Sequence, residues 1–238
     1  AVEEAANAGT FVTAHAHGVE GIKRAVRAGV RSIEHASYLD DEGIALMVKH
    51  GTWLVADIYN GDYIAEIGKR DGWPAEVLRK NDETTGTQRA GCQKAVRAGV
   101  RIAYGTDSGV YPHGRNANQF RYMVRYGMTP LQAIRSATLD SARLLGHEKD
   151  FGSIAVGRSA DLIAVAGDPL VDVRVLEDVR GVIQAGRVVR SVGLREPRTL
   201  TPDPSPGGRG EISAADARSP SLAGRRWREA PDEGTESP

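Results

Sequence analysis

Seven residues occur twice in this chain: Ala-Val-Arg-Ala-Gly-Val-Arg runs from Ala25 to Arg31 and again from Ala95 to Arg101. Each copy reads as the end of an amphipathic helix, a glycine closing it (Gly29 or Gly99), and the entry to a strand. The first copy leads into Ser32-Ile33-Glu34-His35 and the second into Ile102-Ala103-Tyr104-Gly105-Thr106-Asp107-Ser108. Helix, glycine and strand recur in any α/β protein, which accounts for the repeated scaffold. It does not account for both copies ending on a side chain able to bind a metal. An aspartate after a strand is often only a turn former. In parallel α/β folds, however, chemistry sits just past the carboxyl ends of strands, and Gly105 lets the backbone turn sharply before Asp107.

The rest of the chain extends the pattern. Residues 1–9 have helical character and stop at Asn7-Ala8-Gly9; Thr10 to Ala14 reads as a short strand ending in His15-Ala16-His17-Gly18. A helix is predicted over residues 19–28, another over 40–50 with Asp40 as its cap, and a third strand over Thr52 to Ile58. Residues 59–85 are polar and carry Gly61, Gly68, Gly72 and Pro74, so a lid or substrate loop with helical pieces is expected there. A helix over 86–98 precedes the fourth strand. Four strands alternating with helices predict a parallel sheet with right-handed crossovers.

Thr129 and Pro130 open a predicted helix running to Gly146. Beyond it the period shortens. Ser153 to Gly157, Ala160 to Ala166 and Val179 to Val189 read as short strands, with Gln184-Ala185-Gly186-Arg187 as a hairpin loop. From about Leu194 the apolar pattern collapses and seven of the eleven prolines appear, so residues 194–238 are expected to be disordered.

Composition removes several function classes. The 238 residues are 40% hydrophobic and 26% charged, enough for one substantial core. Their formal net charge is zero, which gives no footprint for nucleic acid or an acidic membrane surface. No apolar run approaches the roughly 20 residues that span a bilayer. The single cysteine, Cys92, excludes an internal disulfide framework. Because the chain opens on Ala1, we expect its natural start to lie upstream; the compartment is left unknown, cytoplasmic being favoured over periplasmic or secreted.

Four of the six histidines (His15, His17, His35 and His113) fall at strand ends or just beyond, on the same predicted rim as Asp107. One histidine at a strand end is more often a hydrogen-bonded turn residue than a ligand. Four beside a carboxylate form the nitrogen and oxygen donor set that Zn²⁺ takes in open catalytic sites. His50 and His147 sit at predicted helix ends, where carbonyl partial charge suits them, and are given no function.

These motifs, with Ala137-Thr138, Gly152-Ser153-Ile154 and Gly157-Arg158-Ser159-Ala160-Asp161-Leu162, resemble the amidohydrolase superfamily, most of all its imidazolonepropionase-like enzymes and Xaa-Pro-type dipeptidases. The similarity runs over about residues 1–192. It implies an α/β fold with three parts: the C-terminal half of a (β/α)8 barrel over residues 1–150, a small partial β-sandwich over 151–193, and the disordered tail. It implies one or two divalent metals, zinc above all, with His15, His35 and Asp107 as ligands and Asp107 also as the general base. His17, Tyr38 and His113 become substrate contacts, and the substrate a small amide, cyclic amide or dipeptide. The family's His-x-His pair on strand one and carboxylated lysine on strand four have no counterpart here. We therefore expect a piece incomplete as a catalyst, with an open sheet edge that favours a homo-oligomer. The alternative is a non-catalytic half-barrel that binds or assembles with another chain; an α/β barrel built on a phosphate site is disfavoured, since no Gly-rich phosphate loop precedes a helix.

Overall fold

The structure is a computed structural model that describes residues 1–193. Its elements alternate as α1 (Val2–Asn7), β1 (Thr13–Ala16), α2 (Val19–Arg27), β2 (Ser32–His35), α3 (Asp41–His50), β3 (Trp53–Ala56), α4 (Asn60–Tyr63), α5 (Ala75–Arg97) and β4 (Ile102–Tyr104). A π-helical turn, Ile64–Gly68, continues α4. The four strands form one parallel sheet in chain order. Ala14 lies opposite Ile33, Ile33 opposite Leu54, and Leu54 opposite Ile102. The fold is mixed α/β about a parallel sheet.

The repeated heptapeptide folds the same way twice. Gly29 (φ 89°) donates to Val26 O and Val30 to Ala25 O; Gly99 (φ 78°) donates to Val96 O and Val100 to Ala95 O. This paired closure of a helix end needs a residue with positive φ, which glycine adopts without strain. The bond pattern recurs at Gly9 and Gly51, so all four helices that lead into the sheet stop by one device. The arginines ending the two copies also match. Arg31 stacks over Phe11 at 4.3 Å and Arg101 over Trp53 at 5.7 Å, in each case on an aromatic ring of the neighbouring strand segment.

The two faces of the sheet pack separately. Ile33, Leu54, Ala56 and Ile102 join Ile22, Val26, Met47 and Ala95 of the helices in the main core. Trp53, Val55 and Ala103 point the other way and meet Leu144. β3 is therefore buried on both faces, as its uninterrupted Trp-Leu-Val-Ala run requires. The sheet ends at β1 on one side and β4 on the other, and the Tyr104 N–H on the β4 edge donates to Ser141 Oγ at 3.3 Å.

Several expectations need correction. The first strand is Thr13–Ala16, not Thr10 to Ala14, because Thr10 N closes α1 against Ala5 O; His15 consequently lies within the strand. Residues 59–85 do carry helical pieces, but these fill most of the segment, and α5 begins at Ala75, capped by Pro74, rather than near residue 86. α6 (Asn118–Arg125) was not foreseen. The helix expected over 129–146 is two, α7 (Pro130–Ser136) and α8 (Leu139–Leu145). There Thr138 Oγ1 donates to Ile134 O and Ser141 Oγ to Ser136 O, so side chains take carbonyls that a continuous helix would use. The Thr129–Gln132 capping box does open α7.

Ser153 to Gly157 is turn rather than strand, with Ile154 87% exposed. β5 (Leu162–Val165), β6 (Val179–Gln184) and β7 (Arg187–Ser191) make a three-stranded antiparallel sheet, preceded at β6 by a 3₁₀ turn, Val173–Glu177. The β6–β7 hairpin turns on Ala185 (φ 48°) and Gly186 (φ 78°), the left-handed pair that a two-residue loop requires. The expectation of disorder from Leu194 onward lies outside the described residues. Among the described residues no helix is long and apolar enough to cross a membrane.

Candidate metal centre

The carboxyl ends of all four parallel strands supply the site. His15 comes from β1, His17 from one residue past it, His35 from the last position of β2, Asp57 from just past β3 and Asp107 from three residues past β4. Strand alternation alone would not bring them together. His35 lies opposite Ala16, so its side chain belongs on the helix-facing side, opposite to that of Glu34. Left-handed backbone at His35 (φ 71°) and Ala36 (φ 51°) re-aims it, and Asp107 (φ 47°) is turned in the same way. Such conformations cost about 1–3 kcal/mol each in a non-glycine residue and persist where the surroundings over-determine them.

The three imidazoles pack ring to ring. Centroids lie 4.6 Å apart for His15 and His17, 4.3 Å for His15 and His35, and 4.8 Å for His17 and His35. One donor atom from each lies within 4.8 Å of the others, and the same holds for His35, Asp57 and Asp107. His35 thus belongs to both groups. The recess between them holds about 200 Å³ and is floored by Val55 and Glu34. Gly105 lines it without a side chain, since a β-carbon there would collide with Val55 Cγ1.

Hydrogen bonds fix the individual groups. His35 Nδ1 meets Asp57 Oδ1 at 2.9 Å, and Gln88 Nε2 donates to the same oxygen at 3.0 Å. Asn60 Nδ2 donates to Asp57 Oδ2 at 2.7 Å and to Asp107 Oδ2 at 3.3 Å. His17 Nδ1 lies 2.7 Å from Ser37 Oγ. The bond to Asp57 raises the His35 pKa above the ordinary imidazole range. Burial, then the neighbouring His35 and His15, lowers that of His17. Burial also pushes the Glu34 carboxyl up, against the hydrogen bond that Ser32 Oγ gives it. The site thus sets three imidazoles beside two carboxylates. That is the donor set a divalent cation of the zinc type takes.

Of the residues singled out from the sequence, His15, His17, His35 and Asp107 come together. Tyr38 is attached through its backbone, its N–H donating to His17 O at 3.0 Å, and its side chain is 38% exposed. His113 lies outside both donor groups, with its Nδ1 3.2 Å from Ser108 Oγ on an exposed turn. His147 pairs with Asp150. Sequence reading passed over Asp57, Asn60, Gln88 and Glu34. Asp57 carried a usable signal, since it closes the third strand as His35 and Asp107 close theirs.

Residues 1–189 match the amidohydrolase family. Ochratoxinase from Aspergillus niger is 35% identical over 199 residues, which cover 81% of this chain and 41% of that protein. Imidazolonepropionase from Micrococcus luteus is 27% identical over 161 residues, 65% of this chain and 38% of that one. Among solved structures, a Xaa-Pro dipeptidase with methionine bound in its active site superposes with a TM-score of 0.76 at 44% identity, over 80% of this chain and 47% of that one. The chain spans less than half the length of each of these three proteins.

Proposed function

This chain belongs to the amidohydrolase family, and on that footing we propose that it forms the metal-holding and proton-handling part of a hydrolase that cleaves an amide carbon–nitrogen bond in a small substrate, a dipeptide or cyclic amide. The observation that carries the reading is the convergence of His35 with His15 on one side and with Asp107 on the other. The dipeptidase and ochratoxinase relatives support the bond type.

His15, His35 and Asp107 would hold one or two divalent cations, zinc above all. When bound, such a cation supplies a Lewis acid that polarises the scissile carbonyl and acidifies the attacking water. Asp107 takes the proton of that water and delivers it to the leaving nitrogen. The water oxygen bonds to the carbonyl carbon, the carbon–nitrogen bond breaks, and an acid and an amine leave. Asn60 Nδ2, 3.3 Å from Asp107 Oδ2, restrains the carboxylate during the transfer. His17 and Tyr38 border the cluster where a substrate would enter, with His113 further out. The antiparallel strands of residues 151–193 belong to a partial β-sandwich, and residues 1–150 to the later half of a (β/α)8 barrel.

On this reading a His-x-His pair on an earlier strand and a bridging lysine would complete the centre, and residues 1–193 would supply its later ligands. The outer edge of β1, to which no strand among the described residues is joined, favours a second reading: an assembly module that pairs with another chain. Zinc titration separates the two. The hydrolase reading expects bound zinc that is lost in His35→Ala and Asp107→Asn. In a version carrying a complete barrel, Asp107→Asn lowers the hydrolytic rate by about 10²–10⁴-fold with an unchanged melt. Full metal content and wild-type turnover in the Asn variant would overturn the assignment of Asp107.

A further inference from the structure

We propose that Asp57 is a positioning residue that fixes the ring orientation and tautomer of His35, and that through Asn60 the same support reaches Asp107. The proposal rests on the metal-centre reading above and adds to it a carboxylate that binds no substrate.

Asp57 is buried, 7% exposed, and receives donors from three separate elements. His35 Nδ1 on β2 and Gln88 Nε2 on α5 meet Oδ1 at 2.9 and 3.0 Å, while Asn60 Nδ2 on α4 meets Oδ2 at 2.7 Å. A carboxylate only accepts. The proton in its bond with His35 therefore sits on Nδ1, which leaves Nε2 as the nitrogen with a free lone pair. A histidine ligand held through its other nitrogen by a carboxylate has a defined tautomer and a more basic donor atom.

Two details connect this support to the strained backbone. Gln88 Nε2 also lies 3.3 Å from the His35 carbonyl oxygen, so one amide braces both the carboxylate and the peptide of a residue with φ 71°. Asn60 Nδ2 sits between Asp57 and Asp107, and so links the groups that end β3 and follow β4. The arrangement leaves no place for an amide at position 57. Both oxygens face side-chain amide donors, so an asparagine there would set its own NH₂ against one of them.

The test uses the full chain labelled with ¹⁵N, Zn²⁺ alone as the probe, and Asp57→Asn. Long-range ¹H–¹⁵N spectra of the imidazoles report which ring nitrogen of His35 is protonated, and calorimetry reports zinc affinity. The expected result is an Nδ1–H His35 in the unsubstituted chain. In a folded Asp57→Asn variant this pattern is lost and zinc affinity falls about 10–100-fold. A merely structural Asp57 would move the melt but neither of these readings. An Nε2–H His35 with a bare Nδ1 in the unsubstituted chain would overturn the proposal, and this reading stands even if the variant does not fold. A folded Asp57→Asn that keeps the Nδ1–H pattern and full zinc affinity would overturn it as well. If the unsubstituted chain takes up no zinc, the metal-centre reading falls, and the tautomer comparison alone decides whether Asp57 sets His35.

Discussion

The parallel sheet β1–β4 leaves Ile33, Leu54 and Ile102 at 0%, 1% and 7% exposure, whereas the antiparallel sheet β5–β7 leaves Ile163, Val188 and Val189 at 56%, 67% and 57%. Their strands are equally apolar; the difference lies in what the connections do. Each crossover between parallel strands is long enough to be a helix, and the helix returns over the sheet and covers it. A two-residue hairpin such as Ala185-Gly186 brings no cover with it, so β7 remains exposed along its whole length. The donor cluster sits on the covered sheet. There left-handed backbone at His35 and Asp107 is held by the packed strands around it.

This contrast can be broken by substitution. Leu54→Ala should have the largest effect, about 2–5 kcal/mol of lost stability in denaturant unfolding, because the residue is enclosed by strands on both sides and by helices. A loss under about 1 kcal/mol, the range expected of surface sites, would mean that the parallel sheet is no better packed than the antiparallel one. Gly105→Ala comes next at about 1–3 kcal/mol, since its methyl would collide with Val55 at the floor of the recess. It should also weaken zinc uptake; unchanged stability and uptake would show that the floor yields freely. Val189→Ser should have the smallest effect, within about 0.5 kcal/mol, as for surface substitutions generally. A clearly larger loss would reveal that β7 is covered in solution by something beyond the described residues, and would sharpen the comparison into a statement about that cover.

Much of this was readable from local chemistry. The heptapeptide repeat announced helix, glycine and strand, and the helix closures at Gly29 and Gly99 follow from a backbone requirement confined to a few residues. Asp40 does cap its helix, with Oδ1 accepting from Gly43 N at 2.7 Å, and Ala185-Gly186 does turn the hairpin. Where local signals conflicted, reading failed. Pro74 looked like a loop breaker because proline both ends and begins helices, and the divide between α7 and α8 depended on Ser and Thr side chains competing for carbonyls.

The sequence by itself determined which side chains could bind a metal, since strand-end histidines and Asp107 are chemical identities that no folding alters, and it determined the parallel order through alternation. Tertiary structure alone decided that His35 turns to the same side as His15, against the pleat, and that Asp57, Asn60 and Gln88 support it. Those relations join residues 22 and 53 positions from His35, or 47 positions apart in the case of Asn60 and Asp107. No periodicity encodes such a meeting. It exists only once the sheet has brought the strand ends side by side and the helices have closed around them.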